Sequence, residues 1–236
     1  LDNHKRSIFS LSKVECRRYL NVLDERNLSA RSVGRRISSL RMFWEFLIYE
    51  DIVKKNIWKT IRLPKYQKKL PHYFPASTLY SLVQNMPNSS LLEYRDQMIV
   101  DVLFTTGMRV SELVQLKLSD INCDQREAII LGKGEKYRYC FFPKETADRV
   151  RHYIQFIRPA LSPIDSSTLV LNSKGQPLTS RSVQRLLKKV GSHNNLSHPL
   201  TPHTLRHSFA TELYKNGADL KVVQELLGHD HITSTR

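Results

Sequence analysis

The sequence predicts a mainly α protein in two units, a smaller helical one followed by a larger, mostly helical one that carries a small antiparallel β-sheet. Three observations predict it. Apolar residues recur at steps of three and four over most of the chain, as in Val33, Ile37, Leu40, Trp44 and Leu47. Two β-like runs, Ala128 to Leu131 and Tyr137 to Phe142, flank the turn GKGEK, which reads as a hairpin. The stretch RLPKYQKKLPHYFP, Arg62 to Pro75, holds three prolines and four Lys or Arg residues without periodicity. Proline holds itself and its predecessor away from helix, so this stretch reads as an extended basic linker. The first unit is thereby placed at 1–62, the linker at 63–75 and the second unit at 76–236.

In chain order, Ser12 to Arg26 reads as an amphipathic helix with Val14, Tyr19, Leu20 and Leu23 on its apolar side. Ser29 caps a longer helix that bears the Val33 to Leu47 stripe, a core face. Its opposite side offers Arg31, Arg35, Arg36 and Arg41, a candidate surface for a phosphate backbone; the bland alternative is a solvated face. A short helix near Lys54 to Ile61 closes the unit. Beyond the linker, Ser77 caps a helix through Leu79, Leu82 and Val83. A second helix, Leu91 to Thr105, turns Met98, Ile99, Val102 and Leu103 inward and stops at Gly107. MRVSELVQL begins another, which puts Arg109 at a glycine-marked turn with Glu112 three residues on, near enough to orient its guanidinium. Helices follow at about Lys144 to Ile157 and Val183 to Val190, with TLVLN between them as a short strand. The chain then punctuates two last helices: Thr201 as cap and Pro202 at the first helical position, Gly217 as stop, Asp219 as cap and Gly228 as stop.

Composition bounds the function. Among 236 residues, 37 Lys and Arg stand against 22 Asp and Glu, a net charge of +15. Such an excess fits a partner that is a polyanion, with nucleic acid first and an acidic membrane surface second. No apolar run approaches the roughly 20 residues of a membrane helix, and LDNHKRSIFS lacks the apolar core of a signal peptide. A cytoplasmic protein is expected. Cys16, Cys123 and Cys140 are odd in number and scattered, as reduced thiols are. His203 and Arg206, three apart near a helix N-terminus, share a face and suit an anion, with His229 directly after the next helix stop. Taken alone, such a pair is usually a solvated polar face. A zinc reading of His203 and His207 lacks the glutamate and third ligand that zinc hydrolases use.

The ordered set TGMRVSEL, GKGEK, HTLRHSFAT and LLGHDHITST resembles the tyrosine recombinases, and within them the compact Xer-type recombinases of bacteria. The resemblance covers nearly the whole chain. It implies a helical core-binding (DNA-clamp) domain short of its first helix, a linker, and a catalytic domain. It further implies that Arg109 and Arg206 grip the scissile phosphate, that Lys133 protonates the leaving 5′-oxygen, and that His203 and His229 assist, with Glu112 in support. A guanidinium is always charged and forks onto two phosphate oxygens, which is what phosphoryl transfer needs. Arg31, Arg35, Arg36, Arg41 and Lys65 would contact DNA. No metal or other cofactor is implied, because these residues supply the positive charge. The expected partner is double-stranded DNA, held by a homo- or hetero-tetramer, without a membrane. The family's nucleophilic tyrosine falls within about one turn beyond Arg236, so the chain is expected to bind DNA without cleaving it, as a fragment. Two other readings stay open: a DNA-binding accessory without catalysis, and a type IB topoisomerase. The DNA site and the biological task, whether chromosome dimer resolution, plasmid resolution or integration, are not legible.

Overall fold

In the computed structural model, residues 11–63, 72–132, 137–161 and 166–228 are described, and the chain divides into two compact units, 1–70 and 71–236. Lys65, Lys133 and His229 lie outside the described residues.

The first unit is built from α1 (Lys13–Glu25), α2 (Ala30–Tyr49) and a 3₁₀ turn, Ile57–Thr60. Ser12 and Glu15 form a reciprocal capping box on α1, and Ser29 caps α2 by accepting from the Ser32 amide at 3.1 Å. The buried stripe of α2 is Val33, Ile37, Trp44 and Leu47, joined by Cys16, Leu23, Trp58 and Ile61. On α1 the stripe runs through Cys16 rather than Val14, which is exposed. Cys16, Tyr19, Leu20 and Leu23 keep helical spacing, and Val14 lies about 200° from Cys16 around the axis. Tyr19 and Trp44 both meet Trp58 edge-on, with centroids 5.8 Å apart in each pair.

The second unit is organised around α4 (Leu91–Thr106), in which every residue from Gln97 to Thr106 is buried. One inward face was expected; the helix is enclosed on all sides instead. Its polar residues are therefore bonded: Asp101 pairs with Arg149, Gln97 donates to the Val83 carbonyl at 2.7 Å, and Thr105 and Thr106 bond back one turn. Around α4 stand α3 (Ala76–Gln84), α6 (Lys144–His152) continuing through a π-helical turn into α7 (Arg158–Leu161), α8 (Ser180–His193) and α9 (Pro202–Lys215), with α5 (Val110–Gln115) against α8 and α10 (Leu220–Leu227) against α9. Pro75, not Ser77, stands at the cap position of α3, where no side chain caps the amides. Strands β1 (Ile121–Asn122), β2 (Glu127–Leu131) and β3 (Tyr137–Phe141) form one antiparallel sheet in that order. Its register sets Ala128 opposite Cys140 and Ile130 opposite Arg138 on the inner face. TLVLN forms no strand: only isolated bridges, Thr168 to Lys117 and Leu171 to Pro177, pair it. Two different partners take it in turn, so no ladder propagates.

Among the described residues, no helix is long and apolar enough to cross a membrane.

Candidate catalytic site

Gly107 ends α4 in the left-handed conformation, φ 62°, which reverses the chain and delivers Arg109 to the start of α5. There the main chain and side chain of Arg109 both engage Glu112. The Arg109 amide donates to Oε2 at 2.6 Å, and Nη1 donates to Oε1 at 2.8 Å. Spacing of three residues across a helix start makes this a local pair, and it is the one the sequence suggested.

Glu112 is buried and serves a second arginine. Arg138, on the inner face of β3, forks onto both carboxylate oxygens at 2.9 and 2.8 Å. Burial pushes the Glu112 carboxyl upward, but hydrogen bonds from Arg138 and the Arg109 amide outweigh it, and the pKa is lowered. The third arginine, Arg206, comes from the second turn of α9. Its Nη1 donates to the Gly107 carbonyl at 2.8 Å and its Nη2 to the Leu227 carbonyl at 2.5 Å.

The three guanidiniums meet at the carboxyl end of α10. Arg138 Nε donates to the Leu226 carbonyl at 3.0 Å, Arg206 to Leu227, and Arg109 Nη2 to Gly228 at 2.9 Å. Terminal carbonyls have no partner within the helix, and the dipole is negative at this end, so a cluster of cations is favoured there. Three guanidiniums against the one carboxylate leave +2 within a single hydrogen-bonded cluster. Burial, then the charge of Arg109, lowers Arg206 to about 10 against the opposing pull of Glu112; it stays protonated at neutral pH. Each guanidinium has five N–H donors, and Arg109, whose side chain is 35% exposed, retains donors facing solvent. An oxyanion is the chemical group that such an assembly receives.

His203 is exposed in the first turn of α9, three residues before Arg206, and the Thr201–Thr204 box caps that turn. His207 is half-buried, and burial lowers its pKa; its ring lies edge-on to Tyr73, with centroids 6.4 Å apart. Arg31, Arg35 and Arg36 are exposed on α2. Arg41 differs: its Nε donates to the Trp58 carbonyl at 3.1 Å and its Nη2 to Ile61 at 2.6 Å, while Asn56 bonds the Arg41 carbonyl. Its guanidinium is committed to holding the 3₁₀ turn on α2, sharing the Trp58 carbonyl with the Ile61 amide.

Two sets of residues escaped the sequence reading. Arg138 could have been found from strand alternation, since Tyr137, Tyr139 and Phe141 are exposed and the intervening Arg138 and Cys140 point inward. An arginine turned inward must find acceptors, carbonyl or carboxylate, for its donors. The outer side of α8 carries Arg181, Arg185, Lys188 and Lys189, all exposed, in a helix without an acidic residue. That composition was the available signal.

The phage integrase family matches residues 73–236, and the SAM-like N-terminal domain of phage integrases matches residues 1–51. Tyrosine recombinase XerD of Staphylococcus saprophyticus is 37% identical over 227 residues, covering 96% of this chain and 77% of the relative. Tyrosine recombinase XerC of Anoxybacillus flavithermus is 38% identical over 229 residues, covering 96% and 76%. Among solved structures, the XerH site-specific recombinase bound to its difH substrate, in a pre-cleavage complex, superposes with a TM-score of 0.77 at 26% identity, covering 98% of this chain and 67% of that one.

Proposed function

The chain belongs to the phage integrase family, as a site-specific tyrosine recombinase of the Xer type, and from that premise we propose which residues act on DNA and how. Duplex DNA is the substrate, and the scissile phosphate sits against Arg109 and Arg206. The observation that carries this reading is the convergence of those two arginines, delivered by α5 and α9 and locked onto the adjacent carbonyls of Leu227 and Gly228. Preorganised donors need not reorganise as charge builds on the non-bridging oxygens, which is where electrostatic catalysis is most effective.

In the step proposed, a tyrosine hydroxyl attacks phosphorus, the Oη–P bond forms and the P–O5′ bond breaks. Lys133 gives its proton to the departing 5′-oxygen, His203 takes the proton of the attacking hydroxyl, and His203 and His229 line the phosphate as donors to its oxygens before the proton moves. The phosphodiester energy is kept in the 3′-phosphotyrosyl link, so no nucleotide is consumed. Glu112 holds Arg109 without reacting. Recombination joins two duplexes, and a tetramer of recombinase subunits on DNA is the assembly we propose for it.

The test is a duplex nicked next to the cleavage position, incubated with the protein as its own cell produces it. A protein–DNA band that survives SDS and is lost on Arg109→Ala is expected. Binding without any covalent band would favour the accessory DNA-binding reading.

A further inference from the structure

Arg138 stands at the site with its side chain only 12% exposed, and every nitrogen of its guanidinium is engaged: Nη1 and Nη2 on Glu112, Nε on the Leu226 carbonyl. We propose that Arg138 is a positioning residue of the recombination reaction, an arginine that holds the phosphate-binding pair in place without touching phosphate. The proposal rests on the reading of Arg109 and Arg206 given above and deepens it.

Two physical effects support it. The first is orientation. Glu112 is the group that aims Arg109, and a carboxylate gripped by a fork on both oxygens cannot rotate. With Leu226 held by the same guanidinium, β3, α5 and α10 are tied at one point. The second effect is charge. Glu112 alone with Arg109 would form a neutral pair and blunt the attraction for an anion. Shared with Arg138, its negative charge is spread over two guanidiniums, and the cluster keeps its excess of positive charge. A lysine has a point charge and no fork, so it meets the charge requirement without the geometric one. Gly228 reinforces the fit: a Cβ added there would lie 3.2 Å from Arg138 Nη1, so the close approach is built into the backbone.

The experiment compares Arg138→Gln and Arg138→Lys in the protein as its own cell produces it, with Arg206→Ala as control. Duplex binding, single-turnover cleavage across pH and thermal melting are read for each. Arg138→Gln is expected to bind duplex nearly as the unaltered protein does and to cleave about tenfold or more slowly, as for a displaced catalytic group. The acid limb of its cleavage profile should move to higher pH, because Glu112 loses the bonds that keep it ionised. Arg138→Lys should restore much of the acid limb but not the rate, and it carries the test if the Gln variant does not fold. An unchanged rate and acid limb would overturn the proposal, as would a slower rate with an unmoved limb and lower melting, the mark of a purely structural role. If the unaltered protein does not cleave, or if Arg206→Ala cleaves at full rate, the phosphate-binding reading fails and takes this inference with it. Full loss in Arg206→Ala beside full activity in both Arg138 variants would remove this inference alone.

Discussion

At the scale of single residues, Glu112 decides how the site responds to pH. Its folded pKa is lowered, with Arg138 and Arg109 overcoming the effect of burial. A carboxylate lowered in this way contributes stability that is fully present above its unfolded value, about 4.3, and is lost as pH falls through the folded value. Replacing it by glutamine leaves Arg138 and Arg109 without their counter-charge, a cost of about 3 kcal/mol at neutral pH. Urea unfolding of Glu112→Gln beside the unaltered protein should therefore show its full difference near pH 7, and that difference should shrink as pH falls below the unfolded value and through the lowered folded one. A difference constant over that range would mean that the carboxylate charge is not what matters. The Arg109–Glu112 pair was legible because three residues separate its partners. Arg41 was not: four residues after buried Ile37 and three before buried Trp44, it falls beside the core stripe of α2 rather than opposite it, and the carbonyls it serves, at Trp58 and Ile61, lie 17 and 20 residues away in sequence.

At the scale of elements, the site depends on how α4 stops and where α10 ends. The stops were legible, since Gly107, Gly217 and Gly228 all adopt positive φ and glycine takes that conformation without strain. What the punctuation did not reveal is that the end of α10 is a docking point for three arginines, because that requires knowing which elements adjoin. The enclosure of α4 was hidden for the same reason: a helix that is apolar on most sides looks the same in sequence whether one neighbour covers it or five. Gly107 joins both aspects. A Cβ there would collide with the Phe209 ring, and the Gly107 carbonyl accepts from Arg206. Gly107→Ala should thus cost about 2–3 kcal/mol through left-handed strain and overpacking. Thr201→Ala, which removes only the cap of α9, should cost about 1 kcal/mol. Chemical denaturation ranks the two, and an equal or reversed order would mean that the Gly107 turn adapts more easily than its packing implies.

At the scale of the whole molecule, the +15 charge is unevenly used. Arg95, Arg138, Arg149 and Arg158 are bonded inside the second unit and Arg41 inside the first, whereas α2 exposes Arg31, Arg35 and Arg36 and α8 exposes Arg181, Arg185, Lys188 and Lys189. Only free cations release counterions when they meet phosphate. Changing Arg31, Arg35 and Arg36 together to Ala should weaken duplex binding for all sequences and reduce the slope of log K against log salt by up to about three. Arg41→Ala should lower stability and leave that slope nearly unchanged. A slope that responds to Arg41 as it does to Arg35 would contradict this division. The division was only partly legible: composition announced a polyanion partner, but formal charge counts a buried guanidinium and an exposed one alike.

The central claim is that Arg206, with Arg109, holds the phosphate at which the strand is cut. Its most direct test is to measure duplex affinity and single-turnover cleavage side by side for Arg206→Ala in the protein as its own cell makes it. Removal of an oxyanion donor should cost about a hundredfold or more in cleavage, while affinity, spread over many phosphate contacts, changes little. Equal loss of affinity and cleavage would make Arg206 a binding residue only, and cleavage at the unaltered rate would place the phosphate elsewhere.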